Sequence, residues 1–191
     1  LVELSGERLS EEFRKILLCR DPAGICTLMG GERAFSHILP EARSDVGRLR
    51  TLQWLEQDAI RFDSVRPESL RRLAALVRAD AAGVAAIVAR FKLSNQEASR
   101  LHDVVTTDWQ PSFETGEVEM MRALRRMPRE VVRDIVLIEW ATQLSLQPRR
   151  RTAETEGWQR VLAYIDDWQA VEFPLRGQDV LDLGIAPGPD V

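Results

Sequence analysis

Arginine dominates the side chains able to do chemistry in this 191-residue chain. Of 26 basic residues all but Lys15 and Lys92 are arginines. A guanidinium is a planar fork that grips phosphate or carboxylate with two hydrogen bonds at once, although GC-rich codon usage yields the same bias without any ligand. Three groups form. Arg71 and Arg72 adjoin the apolar face of their helix. Arg122, Arg125 and Arg126 fall at i, i+3 and i+4, opposite Met121 and Leu124, and make a cationic helix face. Arg149, Arg150 and Arg151 follow Pro148 in a loop. Each group reads either as a solvated face paired with nearby glutamates or as a phosphate contact. The tryptophans Trp54, Trp109, Trp140, Trp158 and Trp168 could stack on bases. Helical positions assign four of them to the core, and Trp109, in a loop, is the exception.

Other chemistry finds little support. Acid/base work needs carboxylates that converge in a cleft, whereas the neighbours Glu11–Glu12 and Asp166–Asp167 diverge around their helices. His102–Asp103 invites comparison with histidine-aspartate metal hydrolases, but His37 is the one other histidine, so a ligand set is missing. Cys19 and Cys26, seven positions apart, read as small buried hydrophobes in a reducing compartment. Gly-rich phosphate cradles are absent, and no strand is expected that could carry a nucleophile elbow. The expectation is a chain with no catalytic residues and no metal site of its own.

Composition bounds the rest. With 45% apolar residues the chain can bury a sizeable core, built mostly of Leu, Val, Ile and Ala because aromatics make up 6%. A net charge of -4 and a pI near 5.4 exclude a broad electrostatic clamp for nucleic acid. The acidic start LVELSGERLSEEF does not read as a signal peptide, and the small-apolar run from Ala81 to Ala89 is too short to span a bilayer. A soluble, cytoplasmic protein with no membrane partner is expected.

Helical periodicity runs through almost the whole chain. Ser5 caps a first helix to about Arg20, with Leu9, Phe13, Ile16 and Leu17 on one face. Asp21–Pro22 opens a short helix that Gly30–Gly31 ends, and another spans about Arg33 to Leu39. A fourth begins at Asp45, turning Val46, Leu49, Leu52 and Leu55 inward. Pro67 opens the next, with Leu70, Leu73, Leu76 and Val77. Asp80 caps a helix to Phe91, and Ser94 with Glu97 forms a capping box for a helix to about Thr107. The loop DWQPSFETG, Asp108 to Gly116, is the best subdomain boundary. Helices near Glu117–Met127, Arg129–Leu144 and Ala153–Ala170 follow. No fixed-period repeat occurs. The fold class is therefore all-α, an irregular multi-helix array in two or three packed clusters with no sheet.

Two stretches carry a family resemblance. SGERLSEEFRKIL, Ser5 to Leu17, resembles the neck helix of the class II nucleotidyltransferases, the bacterial-type CCA-adding tRNA nucleotidyltransferases and their poly(A) polymerase relatives. Ser5, Glu7, Arg8, Glu12, Lys15 and Leu17 match the pattern S-x-E-R-[IL]-x-x-E-[LF]-x-K-[IL]-L. DPAGICTLMGG and ILPEA resemble the short helices that follow. RFKLSNQEASRL, Arg90 to Leu101, resembles a body-domain pattern, and FPLRGQDVLDLGIAPGPDV resembles the tail motif P-x-x-G-x-D-[LV]-[LM]-x-x-G-[IV]-x-P-G-P. Between Trp109 and Thr152 the likeness is one of helix spacing.

The resemblance implies neck-like helices over 1–44, a body-like helical domain over 45–110 and a truncated tail-like domain over 111–191. It implies an RNA partner, the 3′ arm of tRNA, and a missing N-terminal head domain holding Mg²⁺ and CTP or ATP. This portion has neither the Gly-Ser and Asp-x-Asp signature of the head nor the Glu-Asp-x-x-Arg segment that selects the nucleotide, so alone it is expected to be inactive and to need no cofactor. Glu7, Arg8 and Glu12 would belong to the neck motif that braces neck against head. The RNA-binding residues would be Arg71, Arg72, Arg122, Arg125, Arg126, Arg149, Arg150 and Arg151. A poly(A) polymerase of the same family, or a helical protein-interaction module, are the alternatives.

Overall fold

The computed structural model describes residues 5–60, 62–147 and 151–169. Arg149, Arg150 and the motif after Glu172 lie outside the described residues. The described residues form ten α-helices and one π turn, with no strand; a lone antiparallel bridge joins Ala42 to Val77.

Helix α1 (Gly6–Leu18) begins where Ser5 Oγ accepts the Arg8 N–H, and it buries Ser10, Phe13 and Leu17. It is followed by α2 (Pro22–Gly31), capped by Asp21, and α3 (Phe35–Ile38). Helix α4 (Gly47–Trp54) continues into a π turn (Leu55–Ala59), and Leu49, Leu52 and Leu55 are fully out of water. The expected start at Asp45 is close, since its carboxylate accepts the Gly47 N–H at 2.8 Å. The sequence did not announce the π turn.

Helix α5 (Ser69–Leu76) opens two residues past Pro67, because the Glu68 carboxylate takes the Leu70 and Arg71 N–H groups. Every one of its eight residues is buried. Its far end is closed by cations: Arg48 donates to the Ala74, Ala75 and Val77 carbonyls and Arg43 to Val77, satisfying a helix C-terminus that would otherwise be left bare. Burial pulls Arg48 down to about 10, still charged at neutral pH.

Helices α6 (Ala81–Phe91) and α7 (Asn95–Thr106) form a hairpin turned by Lys92, whose φ of 51° is left-handed. The Ser94–Glu97 capping box is present. Phe13 packs its ring 5.5 Å from that of Phe91, so α1 lies on this hairpin, and a Cβ on Gly6 would come 2.6 Å from the Arg90 carbonyl oxygen.

Helices α8 (Glu117–Arg126), α9 (Arg129–Leu146) and α10 (Thr152–Asp167) are the remaining helices of the described residues. Helix α9 is the axis of the molecule: α4, α5, α7, α8 and α10 all pack on it. Val132, Val136, Leu137 and Ala141 are wholly buried, each of the larger three worth roughly 1.5–3 kcal/mol of apolar transfer. Trp158 of α10 stacks on Trp140 of α9 with centroids 5.9 Å apart. On α10, Gly157 lies so close to the Phe113 carbonyl that no side chain fits there. One continuous apolar cluster therefore runs from Phe13 to Ile165. No described helix is long and apolar enough to cross a membrane.

Candidate nucleic-acid interface

The expected RNA-contacting arginines separate sharply once folded. Arg71 and Arg72 are 5% and 0% exposed, which corrects their reading as phosphate contacts. Both are consumed inside the protein. Arg72 donates from Nε to Glu56 at 2.6 Å and from Nη1 to the Leu17 carbonyl at 2.7 Å. Arg71 donates from Nη1 to Glu56 and from Nε to Asp134, each at 2.6 Å. Arg100 of α7 then bridges Asp134 and Glu68. Three guanidiniums thus meet three carboxylates; Glu56, Arg71, Arg72 and Asp134 are buried while Arg100 and Glu68 reach the surface, a balance that makes burying four charges tolerable. Burial pushes the Glu56 and Asp134 carboxyls up, against the pull of the two guanidiniums that each faces.

Arg122, Arg125 and Arg126 behave differently. All three are exposed on α8, and none makes a hydrogen bond or ion pair with the described residues. A helix C-terminus favours cations, which accounts for Arg125 and Arg126 in the last turn but not for Arg122. Arg122 and Arg126, one turn apart, line a groove of about 390 Å³ with Trp109, Asp108, Glu119 and Met127. The Trp109 indole N–H donates to Glu119 at 2.8 Å. That bond fixes the ring, and Glu119 keeps its charge one turn before Arg122. Fixed aromatic surface beside two free guanidiniums is the arrangement that holds a nucleotide by ring and phosphate. Two acids among the lining residues keep the attraction local.

The other expected positions are plain surface. Glu7 and Arg8 are exposed in the first turn of α1; Glu12 is exposed and accepts from Lys15 at 2.8 Å. Arg151 is exposed, and its carbonyl opens α10. Arg149 and Arg150 are outside the described residues. Cys26 is buried and its thiol is pushed up to about 12 by burial, as suits a packing residue; Cys19 is half-buried and free. The His102 ring lies 3.3 Å from Asp103, exposed. Among the described residues no group of three or more His, Cys, Asp or Glu is placed to hold a metal ion.

Two features escaped the sequence reading. Trp54, assigned to the core, is 50% exposed. Leu18, Ile25 and Leu28 are exposed on α1 and α2; none breaks helical periodicity, so no signal marked them.

Residues 1–45, which include α1 to α3, match the family model described as the probable RNA and SrmB-binding site of polymerase A. The match covers under a quarter of the chain; it supports a relationship to the poly(A) polymerase and CCA-adding family and an RNA-binding role in a polymerase-family protein. An uncharacterized 28 kDa protein in the petA 5′ region of Rhodospirillum rubrum is 32% identical over 81 residues. Those residues are 42% of this chain and 31% of the relative, so the likeness spans under a third of that protein.

Proposed function

We propose that this chain is the tRNA-gripping C-terminal portion of a CCA-adding nucleotidyltransferase, with a poly(A) polymerase of the same family as its closest variant. The observation that carries the reading is the set of three arginines on α8 that no described residue pairs, two of them beside the ring of Trp109. It is supported by the family match over the first 45 residues. In this reading the described helices hold RNA, and nucleotide transfer belongs to a head domain that binds Mg²⁺ and CTP or ATP. Glu7, Arg8 and Glu12 brace that domain. Arg122, Arg125 and Arg126 meet phosphates, Arg149 to Arg151 add contacts, and Trp109 offers a ring face. The charge balance favours a few local contacts over a groove that wraps the RNA.

Binding of intact tRNA, compared with tRNA lacking its 3′ acceptor strand, tests the reading. Tighter binding of the intact molecule, lost in an Arg122→Ala/Arg125→Ala/Arg126→Ala variant, is expected. Equal binding of the two RNAs would contradict a grip on the 3′ arm.

A second reading has one specific observation in its favour. Leu18, Ile25 and Leu28 are exposed within the matched segment, as on a helical protein-interaction surface. Loss of a protein partner, with RNA binding intact, after Leu28→Asp would favour it.

A further inference from the structure

The groove between α4 and the end of α9 has no role in the reading above. Trp54 closes α4 with half of its surface in water, although Leu49, Leu52 and Leu55 of the same helical segment are fully buried. Arg50 is one turn before it, on the same face, exposed and without an ion pair among the described residues. Gly47, Arg50, Thr51, Trp54, Leu144 and Ser145 line a hollow of about 530 Å³. No carboxylate is among these residues. At Gly47 the hollow meets the cap of α4, where the Asp45 carboxylate accepts the Gly47 N–H and would lie 3.1 Å from a Cβ on that residue.

The hydrogen-bonding capacity of the groove is unevenly distributed. Thr51 Oγ1 donates to the Gly47 carbonyl at 3.0 Å and Ser145 Oγ to the Thr142 carbonyl at 2.7 Å. Both hydroxyl protons are therefore spent on their own helices. The remaining strong side-chain donor is Arg50, a cation that suits phosphate. The remaining broad surface is a half-exposed indole with Leu144 beside it, and it suits a flat, apolar ring. A ligand that joins a ring to an anion, and that needs no reading of its polar edge, is an unpaired nucleotide.

We propose that this groove is a second nucleotide site, stacking one unpaired base of a single-stranded RNA on Trp54 while Arg50 meets the adjoining phosphate. The proposal rests on the RNA-binding reading but uses different residues. Met127, in the groove of Trp109, just precedes α9, whereas Leu144 and Ser145 are in its last turn. At 1.5 Å per residue, the 18 residues of α9 hold the two grooves about 27 Å apart. Because the donors do not read base edges, the site accepts any base.

The test compares two fluorescein-labelled probes against the whole chain by anisotropy, a 12-nucleotide single-stranded RNA of mixed sequence and an abasic strand of the same length. Trp54→Ala is expected to weaken the RNA by about 5- to 150-fold, the worth of one stacked base, and to leave the abasic strand unchanged. Trp54→Phe should recover most of the loss. Arg50→Ala should weaken both probes alike. Circular dichroism melts of each variant check that the fold is retained, and Arg50→Ala and Trp54→Phe keep the test open should Trp54→Ala unfold. Equal affinity of Trp54→Ala and the parent for both probes, while the triple α8 variant is weakened, would overturn this site and leave the RNA-binding reading standing. An equal loss on both probes in Trp54→Ala would overturn stacking. Absence of any binding by the parent chain would remove both.

Discussion

Arg71 on α5 and Asp134 on α9, 63 residues apart in sequence, join Nε to Oδ1 at 2.6 Å with both side chains out of water. The pair is one link in a chain that runs from Glu56 through Arg71 and Asp134 to Arg100 and Glu68, with Arg72 tying Glu56 to the end of α1. It fixes the helices nearest the matched N-terminal segment to the axis of the fold.

Removing one member leaves its partners charged and buried. Asp134→Ala or Arg72→Ala should each cost about 3–5 kcal/mol, read as a lower urea midpoint with an unchanged slope. A loss under about 1 kcal/mol would mean that the network is solvated, contrary to its burial.

Acid sensitivity comes from shallower carboxylates. Burial alone would raise Glu97 and Glu41. Hydrogen bonds outweigh it, from the Ser94 backbone N–H, Arg14 and the Ser94 hydroxyl for Glu97, and from Arg90 and backbone for Glu41, so both are held below the usual carboxylate range. A depressed folded-state value means stability that is fully present above the unfolded value, near 4.3, and lost as the pH falls through the folded one. The melting temperature should therefore drop between about pH 5 and 3, and Glu97→Gln should flatten that drop. An identical pH profile in the variant would count against the assignment.

Gly157 tests the packing of the loop that carries Trp109. Any side chain there meets the Phe113 carbonyl, in the loop that joins α7 to α8. Gly157→Ala should destabilise by about 1–3 kcal/mol, seen as a lowered melting temperature, and disturb the groove that this loop enters. A neutral substitution would show that the approach is looser than described.

Cysteine reactivity gives a direct check on α2. With Cys26 buried and its thiol near 12, native protein at pH 8 should take up iodoacetamide at Cys19 well before Cys26. Faster labelling of Cys26 would mean that α2 opens from the core.

The helices were legible because their signals are local. Ser5, Asp21, Asp80 and the Ser94–Glu97 pair each act within three residues, and the Leu49, Leu52, Leu55 spacing gave the buried face of α4. The loop before α8 was legible from its proline and glycine. The candidate site was half legible. Arg122 and Arg126 with Trp109 were singled out by type and spacing, but their convergence on one groove depends on how α8 packs. Arg71 and Arg72 misled because a charge on a helix normally faces water. Their carboxylate partners lie 15, 16 and 63 residues away, separations that no local pattern encodes. Trp54 misled in the opposite sense, since an aromatic at a helical position normally turns inward.

The central claim is that α8 presents its arginines to RNA phosphates, and salt reads phosphate contacts most directly. The logarithm of tRNA affinity, plotted against the logarithm of salt concentration, should be shallower by about 2 to 3 in the Arg122→Ala/Arg125→Ala/Arg126→Ala variant than in the parent chain. Parallel lines for the two proteins would contradict the account.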